Sequence, residues 1–123
     1  MVKHNKIISL KPNEYRFHVW INNQIIAVTT ITKNKNYITF SLVETDKKYR
    51  GKGIGKQMLL DCLEFSKKKW PEKTIILEAY PYYVHSTMDL KTLVKFYESV
   101  GFEVTKWKKE SALMRYNQKS LNN

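Results

Sequence analysis

Six residues, Arg50-Gly51-Lys52-Gly53-Ile54-Gly55, carry the clearest chemistry in this 123-residue chain. Glycine at every second position leaves backbone N–H groups open to a ligand, because no Cβ stands in the way. The loop lies between a strand-like run, Tyr37 to Thr45, and a helix-like run, Lys56 to Lys69. A helix starting there adds the positive end of its dipole. Such a helix start suits a pyrophosphate, and Arg50, Lys52 and Lys56 add cations around it. Two familiar phosphate loops fail on spacing. The P-loop needs Ser or Thr after Gly-Lys, and Gln57 follows Gly55-Lys56. The dinucleotide fingerprint needs its third glycine one residue later.

The other reactive side chains are scattered. His4, His18 and His85 lie far apart and Cys62 stands alone, so no set has metal-ligand spacing. Cys62 falls on an apolar helical stripe, where cysteine behaves as a small buried hydrophobe. Tyr97 sits on a second stripe, and periodicity by itself makes it a core residue. Glu44 shares the face of Ile38, Phe40 and Leu42 if strand alternation persists to the end of its run. A partly desolvated carboxylate beside the loop suits a general base. Glu78 and His85 are rivals for that role. Tyr80, Tyr82 and Tyr83 form an aromatic run after the next strand.

The elements that must position these groups follow from periodicity. Tyr15 to Ile21 alternates apolar Tyr15, Phe17, Val19 and Ile21 with Arg16, His18 and Trp20, a strand period. Asn22-Asn23 turns the chain. Gln24 to Thr32 is rich in β-branched residues and reads as the paired strand. Tyr37 to Thr45 is the third strand of this meander. The helix after the loop buries Met58, Leu59, Cys62 and Leu63 at spacings of three and four, and Pro71 helps to end it. Thr74 to Ala79 is strand-like. Ser86-Thr87-Met88-Asp89 resembles a capping box opening a helix with the stripe Leu90, Leu93, Val94 and Tyr97. Gly101 stops that helix. Phe102 to Trp107 and Ser111 to Tyr116 form a last hairpin. The order β-β-β-α-β-α-β-β implies an α/β (α+β) fold, a mixed sheet with helices against its faces.

The length fits a single domain spanning residues 1–123, with ends (1–12 and 117–123) expected to fray. The composition, 42% hydrophobic and 27% charged, is that of an ordinary globule. One cysteine excludes an internal disulfide. No apolar run spans a bilayer, so no membrane partner is expected, and a cytoplasmic location is the default. The net charge of +11 admits an anionic partner. The Lys67-Lys68-Lys69 cluster is accounted for by a helix C-terminus.

Arg50-x-x-Gly53-x-Gly55 resembles the acetyl-CoA loop of the GNAT superfamily of N-acetyltransferases. The wider segment Thr45 to Gly55 looks like the end of that family's fourth strand and the start of its main helix. Phe96-Tyr97-Glu98-Ser99-Val100-Gly101-Phe102 looks like its second signature, a helix-end tyrosine followed by Gly-Phe. Both occur in the family's order, over roughly residues 15 to 116. The resemblance implies an acetyltransferase that moves an acetyl group from acetyl-CoA to a primary amine by direct attack in a ternary complex. Gly51, Lys52, Gly53, Ile54, Gly55 and Lys56, with Arg50, would hold the cofactor. Backbone around Val43 to Thr45 would meet the thioester and pantetheine. Tyr97 would protonate the departing thiolate, with Glu44 as the base. Glu78, Tyr80, Tyr82 and His85 would line the acceptor site for a small-molecule or peptide amine. The chain departs from the family at its start. About fourteen residues precede Tyr15, room for one short strand near Lys6 to Leu10 but not for the usual two helices as well. The acceptor site is then open or completed by a second subunit, which favours a homodimer. The alternative is a GNAT-fold protein, catalytic weakly or not at all, that binds nucleic acid or another anionic partner; an anionic acceptor would reconcile the two.

Overall fold

A computed structural model describes residues 3–81 and 88–117. Its strands are β1 (Lys3–Lys11), β2 (Glu14–Ile21), β3 (Gln24–Lys33), β4 (Tyr37–Thr45), β5 (Thr74–Ala79), β6 (Phe102–Trp107) and β7 (Ala112–Tyr116). The helices are α1 (Ile54–Lys69) and α2 (Leu90–Glu98), with a 3₁₀ turn over Lys47–Tyr49. Seven strands form one sheet in the order β1-β2-β3-β4-β5-β7-β6. All neighbours are antiparallel except β4 and β5. This is the GNAT-like mixed sheet expected from the sequence.

The meander is set by local turn chemistry. Asn22 and Asn23 both take positive φ, 50° and 67°, the two left-handed positions of a tight hairpin that asparagine tolerates. β1 is a nine-residue edge strand, longer than Lys6 to Leu10, and part of the end expected to fray is ladder. It pairs from Lys3↔Ile21 to Lys11↔Glu14, so only Pro12 and Asn13 separate it from β2. The two helices usual in the family have no place between these strands.

Both helices lie on one face of the sheet, not on opposite faces. β4-α1-β5 and β5-α2-β6 cross the sheet in the same direction, and right-handed crossovers then put both helices on one side. Contacts agree. Phe65 of α1 packs edge-on against Tyr15, and Tyr97 of α2 packs against Phe102. Strand pairing puts Tyr15, Ile31, Phe40, Leu77 and Met114 in one row across that face. The row is capped by Met58, Leu59, Cys62 and Leu63 of α1, each at most 2% exposed. Cys62 is core, and burial pushes its thiol far above the usual range.

α2 starts differently from the capping-box expectation. Asp89 is itself the N-cap, accepting the Thr92 N–H at 2.8 Å, so the helix opens at Leu90. Ser86 and Thr87 lie outside the described residues, as do Tyr82, Tyr83, His85 and the tail 118–123. No helix among the described residues is long and apolar enough to cross a membrane.

Candidate active site

The site begins where β4 and β5 part. Their parallel pairing runs from Tyr37↔Thr74 to Phe40↔Leu77 and ends there. Beyond it, β4 keeps only its β3 neighbour, and the two strands border a cleft of about 790 Å³. That volume lies within the range of small-molecule sites.

β4 also carries a bulge in this stretch. The β3–β4 register jumps from Thr30↔Ser41 to Val28↔Glu44, giving β4 one residue more than β3. Leu42 absorbs it at φ 51°, a left-handed conformation unusual for a branched, non-glycine side chain. The bulge inverts the alternation that the sequence implied. Thr45 now faces the helices, its Oγ1 only 3.1 Å from where a Cβ on Gly55 would lie. Glu44, opposite Val28, faces the other way, off the Ile38–Phe40 face. Glu78 lies between the buried residues Leu77 and Ala79 and therefore also faces away from the helices. Glu44 and Glu78 thus look out on the same side of the sheet.

The glycine loop closes the helix-side end of the cleft. Asp46 caps the 3₁₀ turn through the Lys48 N–H at 2.9 Å, and Arg50 Nε donates to the Thr45 carbonyl at 3.0 Å. Arg50 thereby ties the loop back to β4, a positioning role that motif matching alone does not give. Gly51 and Gly53 hold φ 77° and 80°, and a Cβ on either would meet nothing within 4 Å. The cradle is open towards solvent and needs glycine for its backbone. Gly53 is the N-cap of α1, with no side-chain cap, and the first helical bond is Gln57 N–H to the Gly53 carbonyl at 3.0 Å. The preceding N–H groups, at Ile54, Gly55 and Lys56, cannot have acceptors within the helix. These donors, the dipole and Lys56 make a fitting seat for a diphosphate. Lys52 is not in the cleft wall; its ammonium sits 5.7 Å from the Tyr49 ring centre.

The cleft brings together most of the residues singled out in the sequence. Val43, Glu44, Thr45, Arg50, Gly51, Gly53, Ile54, Gly55, Lys56, Glu78, Tyr80 and Tyr97 all line it, with Met88, Leu93 and Phe96 as apolar wall. Tyr82 and His85 are outside the described residues. Tyr97 is 5% exposed and packs against Phe96 and Phe102, yet borders the cleft. Glu78 is held from β7's side: the buried Ser111 hydroxyl donates to Oε2 at 2.6 Å, and the Lys108 ammonium lies 3.4 Å from the same oxygen. The Ser111 bond, aided by the Lys108 charge and opposed by desolvation, holds the Glu78 carboxyl below its usual range. A carboxylate so stabilised is a poor proton acceptor and a good holder of cations. Sequence reasoning missed Ser111 and Lys108, because neither belongs to a motif.

His18 is 8% exposed beside Trp20 on β2, away from the cleft wall. Burial and the nearby Arg16 and Lys6 charges lower its pKa, in keeping with a structural role. A second, smaller cavity, about 310 Å³, lies at the opposite end of β5 and is lined by Lys67, Lys73, Arg115 and Tyr116. Among the described residues no three His, Cys, Asp or Glu side chains gather as a metal site. Activity is therefore expected to survive EDTA. Loss of activity on chelation, restored by one divalent ion, would contradict this.

Comparison with known proteins bears on the family and the fold. The family model for the acetyltransferase (GNAT) domain matches residues 4–117. No curated protein matches the sequence. Among solved structures, the chain is similar to Escherichia coli ElaA, with TM-score 0.74 and 22% identity, over 88% of this chain and 71% of that one. It is similar to an acyl-CoA N-acyltransferase from Pseudomonas aeruginosa, with TM-score 0.72 and 17% identity, over 89% and 72%. It is also similar to a Bacillus anthracis protein proposed to be a streptothricin acetyltransferase, in complex with acetyl coenzyme A. There the TM-score is 0.69 and the identity 27%, over 89% of this chain and 65% of that one.

Proposed function

The chain belongs to the GNAT acetyltransferase family, and on that footing we propose that it transfers an acetyl group from acetyl-CoA to a primary amine. The observation that supports this reading is the cleft itself, with the glycine loop, the start of α1 and Tyr97 on the helix side of the sheet and carboxylates on the other. Acetyl-CoA supplies a thioester, an acyl group already activated towards an amine.

The chain's own residues then divide the work. The N–H groups of Ile54 to Lys56 and the Gly51–Gly53 cradle hold the diphosphate. β4 beyond Phe40, free of β5, offers its backbone to the pantetheine arm, in the manner of an added strand. Glu44, on the far side of the splayed sheet, removes a proton from the incoming amine, directly or through one water. Tyr97 donates its hydroxyl proton to the departing sulfur. The apolar wall of Leu93, Phe96 and Met88 keeps water from the reacting atoms.

Release of free CoA thiol, followed across amines, peptides and aminoacyl-RNA, tests the reading. Acetylation of at least one amine is expected, and release with none of them would overturn it. Glu44→Gln tests the base: kcat/KM at neutral pH should fall by roughly 10²-fold or more. The deficit should narrow at alkaline pH, where more of the amine is already neutral. A loss that is the same at every pH would remove Glu44 from proton transfer.

A second reading rests on the net charge of +11 and on the cation-lined cavity of Lys67, Lys73 and Arg115. It takes that surface as a seat for nucleic acid. A steep fall of binding with salt would support it.

A further inference from the structure

We infer that the preferred acceptor is a dication, an aliphatic diamine or polyamine whose second ammonium is held by Glu78 while its first is acetylated beside Glu44. The inference rests on the acetyl-transfer reading above and names its substrate class.

The charges of the cleft are sorted by side. The sequence has 11 carboxylates, and only Glu44 and Glu78 line the cleft. Both face away from the helices. The cations that line it, Arg50 and Lys56, belong to the loop end. Among the described residues, even with the Lys108 ammonium counted beside Glu78, the two carboxylates outnumber the cation on the acceptor side, in a chain of net charge +11. Such a field draws cations in and repels an anionic acceptor.

Glu78 also shows what it holds. The Lys108 ammonium sits 3.4 Å from Oε2, so an alkylammonium on a flexible stem already occupies this carboxylate. An acceptor's second ammonium would replace it with the same chemistry. Ser111, 2% exposed, fixes the carboxylate from behind through its 2.6 Å bond. It is a positioning residue for the acceptor, not a member of the reacting set.

Spacing fits a chain of methylenes. Glu78 is one residue past the Phe40↔Leu77 pair and so lies level with Ser41, three residues before Glu44. The bulge makes these three β4 residues span only two of β3, so at a strand rise of ~3.3 Å per residue the two backbones stand about 7 Å apart along the strand, less the reach of the two side chains. Tyr80 and Leu42 line the same cleft and give an alkyl stem apolar surface to follow. In the transfer, the N–C bond to the acetyl group forms and the C–S bond breaks. The first ammonium gives one proton to Glu44 before it attacks, and Glu44 passes it to solvent; sulfur departs as the thiol with the Tyr97 proton, and the second proton shed by the acetylated nitrogen restores Tyr97. The second ammonium is unchanged.

Cadaverine and n-pentylamine test this, because they share chain length and differ in one ammonium. The kcat/KM ratio of cadaverine to n-pentylamine is expected to be about tenfold or more, the worth of one charge-assisted hydrogen bond. Glu78→Gln should bring the ratio towards one, and Ser111→Ala should lower it by less. Lys108→Ala removes the competing ammonium and should tighten cadaverine binding about threefold. Transfer to both amines with a ratio near one would overturn this inference and leave the acetyl-transfer reading standing. A high ratio that survives Glu78→Gln would overturn the assignment to Glu78. If neither amine is acetylated, the acetyl-transfer reading is what suffers. Calorimetric titration of cadaverine into the CoA-saturated protein then decides: binding that is lost in Glu78→Gln supports the dication site, and absence of binding overturns it. Glu78 is exposed at a strand end and the change to Gln is isosteric, so folding, checked by circular dichroism, should hold.

Discussion

Tyr97→Phe is expected to lower turnover by roughly 10²–10⁴-fold, the usual worth of a general acid, while the KM for acetyl-CoA barely moves. The substitution keeps the ring that packs on Phe96 and Phe102. Only the hydroxyl is lost, so stability should change by no more than the ~1 kcal/mol of a typical hydrogen bond. Burial is what would make the hydroxyl effective in the proposed role. Tyr97 as a whole is 5% exposed and borders the cleft, and a proton donor to a nascent thiolate counts most where bulk water is excluded. The measurement is steady-state kinetics on the true acceptor, with a pH–rate profile. A basic limb present in the wild type and missing in the variant would identify the acid. Full turnover in Tyr97→Phe would return Tyr97 to a packing role and leave thiolate protonation to another group. If departure of the thiolate is not rate-limiting, the fall will be smaller, and single-turnover rates separate the cases.

Gly53→Val is expected to weaken CoA binding by tenfold to a hundredfold, or about 1.4–2.8 kcal/mol. Two effects act together. Gly53 holds φ 80° at the N-cap of α1, and a left-handed conformation costs an L-residue about 1–2 kcal/mol, more for a β-branched one. The space beyond its Cα is open, and on the proposed placement a diphosphate approaches through it to reach the N–H groups. Isopropyl bulk there blocks the approach without touching the protein. Gly55→Ala is the informative contrast. Its Cβ would meet Thr45 Oγ1 at 3.1 Å and Phe96 at 3.6 Å, so its cost falls on the α1–β4–α2 packing and on melting temperature. Calorimetry with CoA on folded Gly53→Val protein decides. Unchanged affinity would move the diphosphate seat elsewhere.

Much of this molecule was legible in its residues. The glycine loop's backbone was legible because positive φ, seen at Gly51 and Gly53, is a property of glycine itself. α1 was legible because Met58, Leu59, Cys62 and Leu63 repeat at helical spacing, and all four are core. β4, β5 and β6 fall where alternation puts them. These signals are local, set within one or two turns of chain.

What the sequence could not determine depends on pairing between distant segments. Glu44's face turned on one extra residue in β4, and a bulge is visible only as a mismatch with β3. The two helices share a face because of crossover handedness and strand order, neither of which is written in any single element. The cleft exists because β4–β5 pairing stops at Phe40↔Leu77. The state of Glu78 was decided by Ser111, 33 residues away in the chain, and by Lys108 in the same loop. Local periodicity thus set which residues form elements and which face water. Register, handedness and long-range hydrogen bonds, which only the assembled sheet fixes, set which carboxylates line the cleft.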